Sequence, residues 1–324
     1  MAKVKFAVLG DSFVDVVAGT LAPDQLPRWG GDVECSLPIQ LQPGGSALNT
    51  ATHIGKLAMG NPHHELLVEL HTVVGTDAFA PVLKTHLQAH GVELSSPMLD
   101  DIPTGVCIVL SGTQDRSFIT HYGAAREFSI EHIDEAKVLS ANHLHIGGFY
   151  SCANLQSKLK PLLEKVHAKG ITISLDTNYD SSEAWSGLDE LLSLLDVFLP
   201  NEVEAMKISR TETVDDAMAY FASHVHGITV IKIGEGGARA FCAKTNATWT
   251  HGSFQTEVVD VTGAGDSFNA GFLSTWKATQ GDVQEALKWG CATASKCVSA
   301  LGACSLKSSY EDVHTVIVRG DLNN

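Results

Sequence analysis

Short apolar runs that stop at glycine or at a polar residue recur along this chain. Between most of them apolar positions fall three or four apart. Residues 5–10 (KFAVLG), 66–75 (LLVELHTVVG), 142–148 (NHLHIGG), 171–175, 196–200 and 228–233 (ITVIKI) read as strands. The run 43–51 (PGGSALNTA) opens a helix that reaches about residue 59, and Thr76-Asp77 caps one that reaches about residue 90. Further helices are predicted over 153–168, 283 to about 300, and 309–318. Another follows a Gly-Ala-Gly turn at 263–265, with Phe268, Phe272 and Trp276 along one face; a strand-like segment, 257–261, feeds that turn. Residues 106–111 and 116–122 form a hairpin around a turn at 112–115. Residues 33–41 alternate weakly, like an exposed strand, in a stretch punctuated by glycine and proline. Strand and helix alternating in this way imply an α/β fold, with a mostly parallel sheet, helices on both faces, and a ligand site at the strands' carboxyl ends.

Composition narrows the function. The 324 residues are 44% apolar and 18% charged, as in a packed globular enzyme. The formal net charge of −15 argues against nucleic acid or an anionic membrane as the main partner. Seven cysteines without a C-x-x-C pair point away from a disulfide framework and toward a reducing, cytoplasmic setting. Residues 1–5 lead straight into a strand without the apolar core of a secretory leader, and no apolar run reaches membrane-spanning length. No internal repeat stands out.

The candidate chemistry gathers where predicted strands or turns meet helices. At Gly263-Ala264-Gly265 small residues leave backbone amides uncovered at a helix N-terminus, which favours an anion such as a phosphate. Asp266, in the first turn of that helix, is either a capping carboxylate or a base that takes the proton from an attacking hydroxyl. Gly44 and Gly45 permit close approach of a ligand, and Asn49 sits one turn into the helix they open. Asp11 and Asp15 follow a strand's carboxyl end, as do Asp176-Thr177-Asn178-Tyr179. Asn201 and Glu204 share one side of a first helical turn, as a capping pair or as ligands. His143 and His145 lie on one strand face, as a metal pair or as buried strand histidines. The cluster Gly234-Glu235-Gly236-Gly237 is not a dinucleotide fingerprint, and no G-x-x-x-x-G-K-[ST] loop occurs; a dehydrogenase is thereby disfavoured.

The run Asp260-Val261-Thr262-Gly263-Ala264-Gly265-Asp266-Ser267-Phe268 resembles the C-terminal signature of the ribokinase, or PfkB, family of sugar and nucleoside kinases. Pro43-Gly44-Gly45-Ser46-Ala47-Leu48-Asn49 resembles its N-terminal signature, and the likeness extends over residues 4–318. The resemblance implies a ribokinase-like fold, one domain over 1–324, with a small β lid from segments about 12–42 and 96–125. It implies that Asp15, Gly44, Gly45 and Asn49 hold the acceptor, and that Asp266 deprotonates it. The amides of Gly263, Ala264 and Gly265, with that of Asp266, would stabilise the phosphoryl group. Asn178, Asn201, Glu204, Lys232, Gly234, Gly237 and Cys291 would serve ATP, with Mg²⁺ near Glu204 through water. Asp260 and the loop 301–303 would hold a monovalent cation such as K⁺. A carbohydrate acceptor is expected first and a nucleoside second; a non-catalytic nucleotide-binding member is the alternative from another class. Gly147-Gly148-Phe149-Tyr150 stands where ribokinases carry an acidic sugar ligand, and Asp180 where many sugar-acid and hexose kinases of the family carry arginine; both departures weigh against ribose and against an anionic acceptor. An exposed lid edge would be open to a homodimer.

Overall fold

The computed structural model describes residues 2–21, 28–35, 37–95, 97–112, 116–304 and 308–323. The chain opens with β1 (Ala2–Gly10), β2 (Phe13–Leu21) and β3 (Gln40–Gly44), then α1 (Ser46–Ala58). There follow β4 (His64–His71), β5 (Val74–Gly75), α2 (Ala80–Ala89), β6 (Val92–Leu94) and β7 (Met98–Leu99). The hairpin β8 (Val106–Gly112) and β9 (Arg116–His121) leads to two short helices, α3 (Ala124–Glu127) and α4 (Glu135–Val138). The middle of the chain holds β10 (His143–Gly147), α5 (Ala153–Ala168), β11 (Thr172–Leu175), β12 (Val197–Phe198), α6 (Glu202–Ser209) and α7 (Val214–His224). The rest is β13 (Ile228–Lys232), β14 (Ala238–Cys242), β15 (Ala247–His251), α8 (Ala264–Ala278), α9 (Val283–Val298) and α10 (Tyr310–Arg319).

Nine strands form one sheet in the order β15-β14-β13-β12-β11-β10-β1-β4-β6. From β13 to β6 every pairing is parallel; β14 and β15 add an antiparallel edge. Helices cover both faces, which is why the central strands read as unbroken apolar runs. Along β1, Phe6 and Val8 enter a core shared with α1, α8 and α9. Ala7 and Leu9 enter a second core, shared with α5, α6 and α7. That alternation is the pleat of the strand expressed in packing. No helix among the described residues is long and apolar enough to cross a membrane.

A separate four-stranded sheet, β3-β2-β8-β9, comes from the two segments assigned above to a lid. One row across it is apolar: Leu41, Val16, Ile108 and Ile119 lie opposite one another, and all but Val16 are exposed. The other face carries Asp15 and the small buried cluster of Val17, Cys107 and Val109. Residues 22–27, 36, 96 and 113–115 of these segments, including most of the expected hairpin turn, lie outside the described residues, as does the Arg116 side chain.

Three expectations need correction. The strand expected over 33–41 is β3, at Gln40–Gly44; the residues before it are mostly exposed and pair with no strand among the described residues. The run 66–75 divides into β4 and β5, which pair in different sheets. Residues 257–261 form no strand: Val258, Val259 and Val261 are each more than half exposed, and the amides of Val259 and Asp260 bond the Val298 carbonyl at the end of α9.

Candidate active site

Two helix N-termini meet at one carboxylate. α1 begins after Gly45, at φ 98°, and α8 after Gly263, at φ 75°. Both positions require glycine twice over, by backbone angle and by space. A β-carbon at Gly45 would approach the Asp11 carbonyl oxygen to 2.8 Å, and one at Gly263 the Ala303 β-carbon to 2.6 Å. Ser46 Oγ donates to Asp266 Oδ1 at 2.6 Å and Asn49 Nδ2 to Asp266 Oδ2 at 2.9 Å. Asp266 thus crosses to α1 and makes no capping bond to its own helix, so the capping reading of this residue is set aside. The first turn of α8 has no side-chain cap, and its residues Gly263 to Asp266 line a cleft of about 890 Å³.

Asp176, Asn178, Asn201, Glu204, Lys232, Gly234, Gly237 and Cys291 line the same cleft. The strand ends put them there, as doubly wound sheets do. Asn201 and Glu204 do form a reciprocal capping box on α6, at 2.9 Å in both directions. The capping and cleft-lining accounts of this pair are therefore both true. Lys232 is buried and does not hang free in the cleft: its Nζ bonds Asp176 Oδ2 at 2.7 Å. Asn269 Nδ2 donates to that same oxygen. Burial opposes the Asp176 charge, but Lys232 and Asn269 outweigh it and hold the carboxyl below its ordinary range. Burial, together with the Asp176 charge, pushes Glu204 up to about 7. The same two causes push Asp266 up to about 6, with Ser46, Asn49 and Lys232 pulling the other way.

The acids after β1 are near Asp266. Asp11 is 1% exposed; its Oδ1 accepts from the Ala47 amide at 3.0 Å, so it anchors the start of α1. Asp15, on β2, lies against Gly44. Burial first, and the neighbouring Asp266 charge, push Asp11 up to about 7; burial and the charges of Asp11 and Asp260 do the same to Asp15. Asp260 ties two loops together, accepting from Thr262 through Oδ1 at 2.9 and 2.6 Å and from the Gly302 amide through Oδ2 at 2.8 Å.

His143 and His145 are buried strand histidines. They bond Thr172 and Ser174 hydroxyls at 2.7 to 2.8 Å, and among the described residues no group of three or more His, Cys, Asp or Glu is arranged for a metal ion. Asp180 is buried and caps the turn that follows it, through Ser182 and the Trp185 amide. All seven cysteines are free. Sequence reasoning missed Ser46 and Asn269 as parts of the site, and the pairing of Asp176 with Lys232 within it. It also missed Asn323, which lines the cleft after its amide bonds the Ser253 carbonyl at 2.9 Å. Ser46 carried a usable signal, as the first residue of a glycine-led helix; Asn323 carried none.

The profile of the pfkB family carbohydrate kinases matches residues 30–309. The ATP-dependent ribose-1-phosphate kinase of Halopiger xanaduensis is 27% identical over 290 residues, 88% of this chain and 90% of that one. The adenosine kinase of Dictyostelium discoideum is 26% identical over 306 residues, 86% of this chain and 85% of that one. The structure of Arabidopsis thaliana ribokinase, complexed with ribose and ATP, shares the fold with a TM-score of 0.80 over 98% of this chain and 99% of that one, at 22% identity.

Proposed function

The chain belongs to the pfkB family of carbohydrate kinases, and we propose that it moves the γ-phosphate of ATP to a hydroxyl of a small uncharged carbohydrate, with Asp266 as general base. One observation carries this reading. A single carboxylate, held on both oxygens by α1, stands at the open N-terminus of α8. The amides of residues 263–266 stabilise charge on the phosphoryl group while Asp266 takes the proton of the hydroxyl that attacks it. Binding of ATP in the cleft past Lys232, Gly234, Gly237 and Cys291 is supported by its size of about 890 Å³. Asn178 and Asn201 flank the phosphates.

Among the described residues no three side chains are arranged to ligate Mg²⁺ directly, but the charge of the site suits an ion carried in by the nucleotide. Asp176, Glu204 and Asp266 share a buried field in which Lys232 is the cation beside them, an excess of negative charge that a divalent ion would relieve. Glu204 would hold it through water, and the ion would neutralise phosphate oxygens. The Asp260–Gly302 contact brings the two loops of the expected K⁺ site together. The four-stranded sheet acts as a lid on a single domain, and its apolar outer row supports a homodimer through that face.

Charge favours a neutral acceptor. Lys232 is the one lysine or arginine among the described cleft-lining residues, and Asp176 engages it; Asp11, Asp15 and Asn49 gather on the acceptor side. A phosphorylated or carboxylated sugar would bring a further negative charge beside these acids, whose carboxyls their acidic neighbours already raise. A nucleoside is the second reading, favoured by the ring pair Phe13–Tyr122 at 5.9 Å, two residues along β2 from Asp15. ADP release from ATP and Mg²⁺ with neutral sugars, phosphorylated sugars and nucleosides tests this. Turnover with a neutral sugar is expected. Turnover only with a phosphorylated sugar would overturn the acceptor assignment. Tight ATP binding without transfer to any acceptor would overturn the kinase reading.

A further inference from the structure

The base is held by Asn49, and the structure shows what holds Asn49. An asparagine amide presents an oxygen and an NH₂ of nearly the same shape, so its orientation is decided by the partners at each end. At one end Asp266 Oδ2 accepts from Nδ2 at 2.9 Å. At the other, Cys304 Sγ lies 3.2 Å from Oδ1, 255 positions away in the chain. We infer that Cys304 is a positioning residue for the phosphoryl transfer proposed above: its thiol donates to Asn49 Oδ1 and so turns the amide to present its NH₂ to the base.

Several independent contacts make that arrangement firm. Cys304 is 6% exposed, and burial pushes its thiol far above the ordinary range, so it stays S–H and remains a donor. Its carbonyl accepts from Lys56 Nζ at 2.7 Å, and the adjacent Ala303 carbonyl meets His53 Nε2 at 2.8 Å and Cys297 Sγ at 3.3 Å. Asn49, His53 and Lys56 fall at i, i+4 and i+7, on one face of α1. The loop therefore grips three successive turns of the helix whose first two turns carry Ser46 and Asn49. Burial, with help from the Lys56 charge, lowers His53 to about 3, which keeps it neutral and its bond to Ala303 unchanged across the working range. The same loop is tied through Gly302 to Asp260, three residues before the Gly263 that starts α8. One short loop thus fixes both helices that meet at Asp266.

The consequence is electrostatic. Asp266 faces the carboxylates of Asp176, Glu204 and Asp11, which raise it or are raised by it, and the Lys232 ammonium, which lowers it. Ser46 and Asn49 are the neutral donors on the lowering side. A rotating Asn49 amide would weaken one of them.

Cys304→Ala should lower kcat about fivefold, the worth of one modest hydrogen bond, with the KM for ATP unchanged. The acid limb of kcat/KM should move up by about half a pH unit. Cys304→Ser, which keeps a donor, should recover most of both. Asparagine-selective ¹⁵N labelling gives a readout independent of turnover: the Asn49 NH₂ pair should titrate with Asp266 in the wild type and lose its separated signals in Cys304→Ala. Equal losses in Ala and Ser with an unmoved acid limb would make Cys304 merely structural. An Asn49 spectrum unchanged in Cys304→Ala would overturn the inference even if no acceptor were ever found, whereas a wild type without turnover would count against the kinase reading alone.

Discussion

Asp266→Asn separates two things that most substitutions confound. The carboxylate accepts from Ser46 and Asn49, and an amide can keep one of those bonds through its oxygen. The Ser46 hydroxyl can turn and accept from the introduced NH₂, so the helix junction survives. What disappears is the carboxylate that the proposed mechanism uses as proton acceptor, and removal of a general base costs about 10²- to 10⁴-fold in kcat. Stability should move the other way. Burial and Asp176 raise the wild-type carboxyl from 3.8 to about 6. At about 1.4 kcal/mol per pH unit, an ionised Asp266 at pH 8 costs the fold about 3 kcal/mol. The residue is partly open to the cleft, so screening reduces this to about 1–2 kcal/mol.

The sign follows from linkage. A carboxyl raised on folding contributes stability that is complete below its unfolded pKa and is lost as pH rises through the folded value. The variant should therefore melt about 2–4 °C above the wild type at pH 8. At pH 5, between the unfolded and folded values, about half of that gap should remain, and it should close only below the unfolded pKa. Coupled ADP release gives the first quantity, and thermal unfolding at the two pH values gives the second. Near-wild-type turnover would remove Asp266 as the base. A melting difference of the same size at both pH values would show that its carboxyl does not titrate as a buried group.

Lys232→Met leaves Asp176 buried without its ammonium and should cost about 3–5 kcal/mol in urea unfolding, with partial recovery on adding Asp176→Asn. Gly263→Ala forces a β-carbon to within 2.6 Å of that of Ala303 at positive φ, and should cost about 1–3 kcal/mol while lowering kcat more than it changes the KM for ATP. Ile119→Asp places a charge in the apolar row across β3, β2, β8 and β9 and should shift a dimer to monomer by light scattering; a wild type that is monomeric at micromolar concentration would refute pairing through this face.

What the chain disclosed in advance was whatever depends on neighbours in sequence. Gly45 and Gly263 announced helix starts because only glycine tolerates their backbone angles, and Asn201 with Glu204 announced a capping box because its chemistry spans three residues. The contacts that tune the site were not legible. Lys232 reaches Asp176 across 56 positions and Asn269 reaches it across 93, and no local pattern encodes such a meeting. The misread segment 257–261 is instructive. Its valines look like strand residues, yet Val258 and Val261 line the cleft, half exposed. A ligand in the cleft would cover them, and β-propensity cannot tell such a surface from one packed in a sheet.

Four acids in and around this site are raised by burial. Asp11, Asp15 and Glu204 are pushed up to about 7, Asp266 only to about 6. What opposes burial differs among them. Asp11 has the Ala47 amide and the Ser151 hydroxyl against it, Glu204 has the Asn201 amide and the Lys232 charge, and Asp15 has two other acids as its named neighbours. Asp266 has two α1 side-chain donors and Lys232. Both of its oxygens are held by donors from another helix, an arrangement that suits the base proposed above. Asp15, raised by burial and by the charges of Asp11 and Asp260, suits the binding of a neutral hydroxyl in the reading proposed above. The proposed division between base and binding acid would then rest on how α1 is docked against α8 and the loop at 301–304, which decides where the Asp266 oxygens find their donors.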